Sequence, residues 1–135
     1  MPDIDLTHKT LPEGKYDACI EGIDLKLYST VLLCIHYRVP YRGCDYHLWE
    51  ELPIDAPVSS PGYARTAQGK SRIHEILSSY GEQPPASIKA PDLSDALVGR
   101  EVHISTRNKL TGTFPVPQVT GVLGKARNPV PPSVE

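Results

Sequence analysis

Five histidines, His8, His36, His47, His74 and His103, are the residues best suited to metal or proton chemistry, but their spacing supports neither. No pair falls on one helix face as a zinc motif requires, and there is no HExxH run. His36, His47 and His103 lie in strand-like runs and meet only if three strands are neighbours. Asp45, Glu50 and Glu51 gather as a nuclease would need for Mg²⁺. Glu50 and Glu51 nevertheless point to opposite faces of a strand, and no second acidic cluster completes a two-metal site. Cys34 and Cys44 near a histidine would suit a thiol nucleophile, whereas small strand-embedded cysteines are ordinarily core fillers. Gly69-Lys70-Ser71 copies the ending of a phosphate-binding loop, yet no parallel strand precedes it and it falls in a helical stretch. These residues point away from an enzyme and from any bound cofactor or metal.

Binding chemistry is better supplied. Thr30 to Leu52 reads as two strands joined by a turn, with Val31, Leu33, Ile35, Tyr37 and Val39 alternating with Leu32, Cys34, His36 and Arg38. Pro40-Tyr41-Arg42-Gly43 reads as a hairpin loop of about four residues. If Leu33, Ile35 and Tyr37 face a core with Cys44, Tyr46 and Leu48, the other face carries His36 and Arg38 opposite Asp45, His47 and Trp49. Trp49 then either closes a core edge or offers a flat face to a ligand. Charge adds to the second reading. Residues 1–55 hold five Lys/Arg against ten Asp/Glu, and residues 56–135 hold nine against six. Between Gly99 and Arg127 the basic residues Arg100, Arg107, Lys109, Lys125 and Arg127 face Glu101 alone, a local basic strip hidden within a net charge of −2. A single-strand binder needs aromatic faces for bases and cations along the backbone. Trp49 and Tyr41 are the stacking candidates, with Tyr28 and Tyr46 behind them. Arg38, Arg42, Arg107, Lys109, Lys125 and Arg127 are the phosphate candidates, and His36 and His47 flank the indole.

The elements that must position these residues follow from the pattern. The 135 residues fit one domain over 1–124, with a Pro-rich tail over 125–135 expected to be disordered. Residues 1–10 are polar and without period. A first strand spans Lys15 to Tyr28, and its buried parity switches at Gly22, from Tyr16, Ala18 and Ile20 to Ile23, Leu25 and Leu27. A parity switch at a glycine marks a bulge or bend of the kind small barrels use at corners. After a Pro-rich loop, Ser60 and Pro61 read as a helix start, and Ala67, Ile73, Ile76, Leu77 and Tyr80 recur at helical spacing until Gly81. Arg65, Lys70 and Arg72 are assigned to that helix's polar face. Glu82 to Ser94 is irregular, with one helical turn over Asp95 to Gly99. A fourth strand, Arg100 to Asn108, places Val102, Ile104 and Thr106 inward. A fifth, Phe114 to Leu123, contains Pro115 and Pro117 and is read as an edge. Three strands, a helix and two strands is the order of an all-β, five-stranded OB-type Greek-key barrel whose one helix sits between the third and fourth strands. An open α+β sandwich has the same composition, and the Gly22 switch favours the barrel.

Leu11-Pro12-Glu13-Gly14-Lys15-Tyr16 resembles the Pro-x-Gly-x-Tyr opening of the first strand in a group of bacteriophage single-stranded-DNA-binding proteins, first catalogued as a domain of unknown function. The hairpin, the helix ending at Gly81 and Leu97-Val98-Gly99-Arg100-Glu101-Val102 are similar in order to that family's later blocks, over roughly residues 11–124. The resemblance implies an OB-fold that coats single strands in phage or mobile-element replication and recombination. Its expected partners are single-stranded DNA and replication or recombination proteins. A homo-oligomer is expected, as is a place in the cytoplasm of the host. One departure is the tail: bacterial single-strand-binding proteins end in an acidic segment, and here the last ten residues hold Glu135 as their one acid, together with Arg127. The three cysteines without CxxC spacing suit reduced thiols, and no apolar run approaches membrane-spanning length. The competing reading is a small β-barrel adaptor that docks another protein through the same aromatic patch, which the acidic first half favours.

Overall fold

The computed structural model describes residues 3–27 and 30–133. Its strands are β1 (Gly14–Leu27), β2 (Val31–Tyr41), β3 (Cys44–Asp55), β4 (Glu101–Thr111) and β5 (Phe114–Lys125), and its helices are α1 (Thr66–Ser79) and α2 (Ala90–Leu97). A short 3₁₀ turn, Tyr63–Arg65, runs into α1. All pairings are antiparallel, in the order β3-β2-β1-β4-β5. That is the ladder of an OB-type barrel opened between β3 and β5, and the protein is all-β apart from its helices. The sheet does not close. Four antiparallel steps leave β3 and β5 running the same way, and they approach without a hydrogen-bonded ladder.

Local chemistry explains the elements. The hairpin between β2 and β3 is tighter than its composition suggests. Pro40 is already in β2 opposite Asp45, and only Arg42 and Gly43 turn the chain. Both have positive φ, 50° and 77°, the type I′ geometry that matches strand twist. In β1 the register runs Ile20 to Tyr37 and then Gly22 to His36, so Glu21 is the extra residue of a bulge. The buried face switches there to Ile23 and Leu25 as expected, whereas Leu27 at the strand end is exposed. Pro115 and Pro117 are tolerated because β5 is an edge strand. Gly81 ends α1 at φ 75°. Ser60 does not cap the helix; its hydroxyl accepts from Gly62 N–H at 3.2 Å in the turn before it. α2 extends the single turn expected before β4 to two turns, burying Leu93 and Leu97.

The core lies inside the curved sheet. Leu33, Ile35, Tyr37 and Val39 from β2, Ala18 and Ile20 from β1, and Val102 and Ile104 from β4 are fully buried, and Ile76 and Leu77 of α1 pack against them. Among these apolar groups sits one polar cluster. Glu50 faces inward from β3 and receives Arg72 of α1 through Nε at 3.0 Å and a terminal nitrogen at 2.7 Å. Tyr37 donates to the same carboxylate at 2.9 Å. Arg72, assigned from the sequence to the polar helix face, is therefore buried, and a partner carboxylate is the reason. Burial works against its charge, but Glu50 more than offsets this and the guanidinium holds its proton more firmly than usual. Burial, then Glu50, raises the Tyr37 hydroxyl well above the ordinary phenol range. Arg72 also reaches Glu75 at 2.5 Å, and Glu75 accepts the Val122 N–H of β5 at 3.0 Å. α1 thus packs on both β3 and β5 and fills the gap that the ladder leaves.

The tail is the main departure from expectation. Its prolines and scarcity of apolar side chains suggest disorder, yet residues 126–133 lie across the outer face of the sheet. Arg127 and Asn128 N–H donate to Asp17 at 3.0 and 3.1 Å, and Val130 N–H donates to Glu101 at 3.0 Å. Backbone hydrogen bonds to strand carboxylates replace the hydrophobic burial that the composition lacks.

Two consequences are testable by thermal melting. A Cβ built on Gly69 would stand 2.5 Å from the Pro53 carbonyl oxygen and closer still to Ile54 Cγ2, so no methyl fits unless α1 moves off β3. Gly69→Ala is expected to lose about 1–3 kcal/mol despite alanine's better helix propensity; a rise in Tm would contradict the contact. Arg72→Met leaves Glu50 buried and uncompensated and is expected to lose about 3–5 kcal/mol, while adding Glu50→Leu restores at least half of it. Additive losses in the double variant would show that the pair is not the unit.

Candidate functional site

Cross-strand register builds the site. His36 on β2 and Trp49 on β3 are direct partners, and their rings stack with centroids 4.2 Å apart and planes 8° from parallel. His47, two residues before Trp49 and on the same face, meets His36 through Nδ1 and Nε2 at 2.7 Å. One nitrogen of that pair donates and the other accepts, so the arrangement holds when at least one imidazole is neutral. Burial, reinforced by His47 and opposed by Glu21, lowers the His36 pKa. Trp49 is 65% exposed. The sequence left it between core edge and ligand face, and the structure places it outside with one face covered by His36.

Two shallow clefts continue from this stack. A groove of about 390 Å³ lies where β3 and β5 fail to pair, lined by His47 and Trp49 on one side, Val116, Pro117 and Gln118 on the other, and His8 and Lys9 of the lead-in segment. A second of about 370 Å³ shares Lys9 and Tyr46 with the first and runs to Tyr41, Arg42 and Cys44 at the hairpin tip. The Arg42 guanidinium lies 5.3 Å from the centre of the Tyr41 ring. Arg107 and Lys109 are exposed on β4, opposite Gln118 and Val116 of the groove wall. Trp49, His36 and His47 thus share the outward face of β2 and β3. Arg42 and the half-buried Tyr41, set edge-on against Tyr16 and Tyr46, lie at the hairpin end of the adjoining cleft, and Arg107 and Lys109 stand one strand beyond the groove wall.

Three sequence candidates are placed elsewhere. Arg38 is 5% exposed and taken up by Glu21, by Asp45 at 3.6 Å and by the Pro131 carbonyl at 2.8 Å. It faces outward as expected, but the bulged Glu21 and the tail cover it. Lys125 stands seven residues along β5 from Gln118, roughly 20 Å at about 3.3 Å per residue, with its ammonium 5.1 Å from the Tyr80 ring. Arg127 belongs to the docked tail. Of the secondary stacking candidates, Tyr46 is half-buried beside Tyr41, and Tyr28 lies outside the described residues. Lys9 and His8 were not legible, since the segment before Leu11 has no period. Leu11, fully buried, and the Thr10 hydroxyl on the Pro115 carbonyl at 2.8 Å are what bring them there.

Among the described residues, His103 is drawn to Asp17, at 2.9 Å, and not to the other histidines, and no group of three or more His, Cys, Asp or Glu is placed to hold a metal ion. Glu50 is committed to Arg72, and Glu51 to Lys26 at 3.1 Å. Cys34 is buried, as a core filler should be, while Cys44 is exposed at the hairpin, contrary to that reading. No described helix is long and apolar enough to cross a membrane. The chain matches no known family model and no curated protein.

The imidazole stack has a pH signature. Because the folded-state value of His36 lies below the ordinary imidazole value of about 6.5, the folded protein binds fewer protons than the unfolded chain between the two. The His36 contribution to stability is therefore complete above that ordinary value and is lost as pH falls through the folded value. Trp49 emission is expected to change with a midpoint below the ordinary imidazole value, and His36→Phe should abolish the transition. An unchanged titration in His36→Phe would remove His36 as its source.

Proposed function

We propose that the protein binds single-stranded DNA, largely independently of sequence, through the strip from Trp49 to the β2–β3 hairpin, and that it serves replication or recombination of a phage or mobile element. The observation that carries this reading is the exposed indole, already stacked on His36 on the β2–β3 face of an OB-ordered sheet. A base laid on the other face of Trp49 would extend the stack, and Tyr41 offers a second ring further along. Lys9, Arg42, Lys109 and Arg107 flank the path as phosphate partners, each a surface cation of the sort that binds a polyanion by releasing counterions. Nothing in this binding requires a cofactor, a metal or a bond-breaking step. The role in phage or mobile-element DNA rests on the likeness of residues 11–124 to that family's order of motifs.

Titration of the single Trp with a mixed-sequence oligonucleotide at low salt tests the proposal. Quenching is expected, with Trp49→Ala weakening binding about tenfold or more, since one stacked base contributes about 1–3 kcal/mol. Arg107→Ala is expected to leave sequence preference alone and reduce the salt slope by about 0.7 for one lost phosphate contact. A folded protein that shows no binding at low salt overturns the proposal and leaves the adaptor reading, in which the same aromatic strip docks a protein.

A further inference from the structure

The outer face of the sheet carries a second built site, beside the aromatic strip and already filled. Residues 126–133 make contacts first with β4 and β1, and then with β2 and β3. Ala126 N–H donates to the Glu101 carbonyl at 3.1 Å, and Arg127 and Asn128 N–H donate to the two oxygens of Asp17. Val130 N–H donates to the Glu101 carboxylate, the Pro131 carbonyl accepts from Arg38 at 2.8 Å, and the Ser133 hydroxyl reaches Asp45 at 3.3 Å. The five bonds up to Pro131 engage backbone groups of the tail; the receiving side is side chain in four of them. Pro129, Pro131 and Pro132 fall where no N–H is used and favour the extended path. His103 sits beneath this path, 9% exposed, holding Asp17 through Nδ1 while its Nε2 has no partner.

We propose that this face, built from Asp17, Glu101, His103 and Arg38, is a receptor for an extended proline-spaced peptide, and that beyond the cis tail seen here it takes the same tail from a second copy of this chain. The ligand chemistry is visible: successive N–H groups on a carboxylate, then prolines. Every copy carries both ligand and receptor, and the bonds to receptor side chains do not depend on which chain supplies the tail. Exchange between copies keeps the four contacts made by Asp17, Glu101 and Arg38 side chains. It gives up the Ala126 bond together with the adjoining Lys125–Val102 end of the β4–β5 ladder, which must part for the tail to reach a second copy. The proposal does not depend on what the Trp49 strip binds.

The probe is a fluorescent peptide with the sequence of residues 126–133, measured by anisotropy against three full-length chains. The doubly substituted Asn128→Pro, Val130→Pro chain removes two tail donors and leaves the receptor intact. The Asp17→Asn, Glu101→Gln chain keeps the tail and weakens the receptor. The peptide is expected to bind the tail variant at least about tenfold more tightly than the wild type, which is occupied in cis, and to bind the receptor variant at least about tenfold more weakly than the tail variant. Sedimentation of the wild type should show dimer growing with concentration. If the receptor variant fails to fold, the comparison of tail variant with wild type stands alone. Equal or absent binding by tail variant and wild type overturns the receptor. Peptide binding with a wild type that stays monomeric at every concentration overturns the second copy as its ligand.

Discussion

The ion pair between Arg72 and Glu50 is the constraint on which the rest of the architecture turns. Two charges withdrawn from water are tolerable only when each meets the other with good geometry and their remaining hydrogen-bonding capacity is used. That condition fixes the rotation of α1 about its own axis, because only one face of the helix carries Arg72. With the rotation fixed, Gly69 meets the Pro53 carbonyl and Glu75 reaches the Val122 amide. The helix consequently takes the place of a ladder between β3 and β5, and the barrel is completed by side chains on one end and left as a groove on the other.

That division shapes the outer surface. Toward the hairpin, the unpaired edges part and leave a cleft edged by Trp49 and by Pro117 of β5. Across the middle of the sheet, the tail lies over carboxylates of β1 and β4. Arg38 stands at the boundary, its guanidinium shared by Glu21, Asp45 and Pro131, so it ties the bulge of β1, the start of β3 and the tail together. An arginine on an outward-facing strand position looks from sequence like a free cation. Here it is a structural tie, and the exposed cations beside the aromatic strip are on the hairpin, β4 and the lead-in.

Much of the fold was legible because strand periodicity is a local property. The parity switch in β1, the inward set of β2 and β4, the helix stop at Gly81 and the edge character of β5 all follow from alternation, glycine and proline. Trp49 and His36 could be placed on one face for the same reason, though not stacked. The misplacements share a different cause. Arg72, Arg38 and the tail depend on charges that meet across long stretches of chain, and a helical wheel or a composition count gives a charged residue no partner. Lys9 was missed because what positions it is the burial of Leu11, a single residue with no period around it.

The tail has a further consequence for how the chain comes into being during synthesis. Asp17 is made early, and the amides that satisfy it are 110 and 111 residues downstream. The β1–β4 ladder likewise spans most of the chain, from Gly14 to Thr106. A nascent chain can assemble β1, β2 and β3 by neighbour contacts and acquires the Glu50 counter-charge only 22 residues later. Its outer carboxylate at Asp17 must wait for residues more than 100 positions further along the chain to leave the ribosome. Loop closure over such lengths is slow compared with hairpin formation, so the strap docks after the strands it crosses, and a chain stalled short of it would present β1 uncovered.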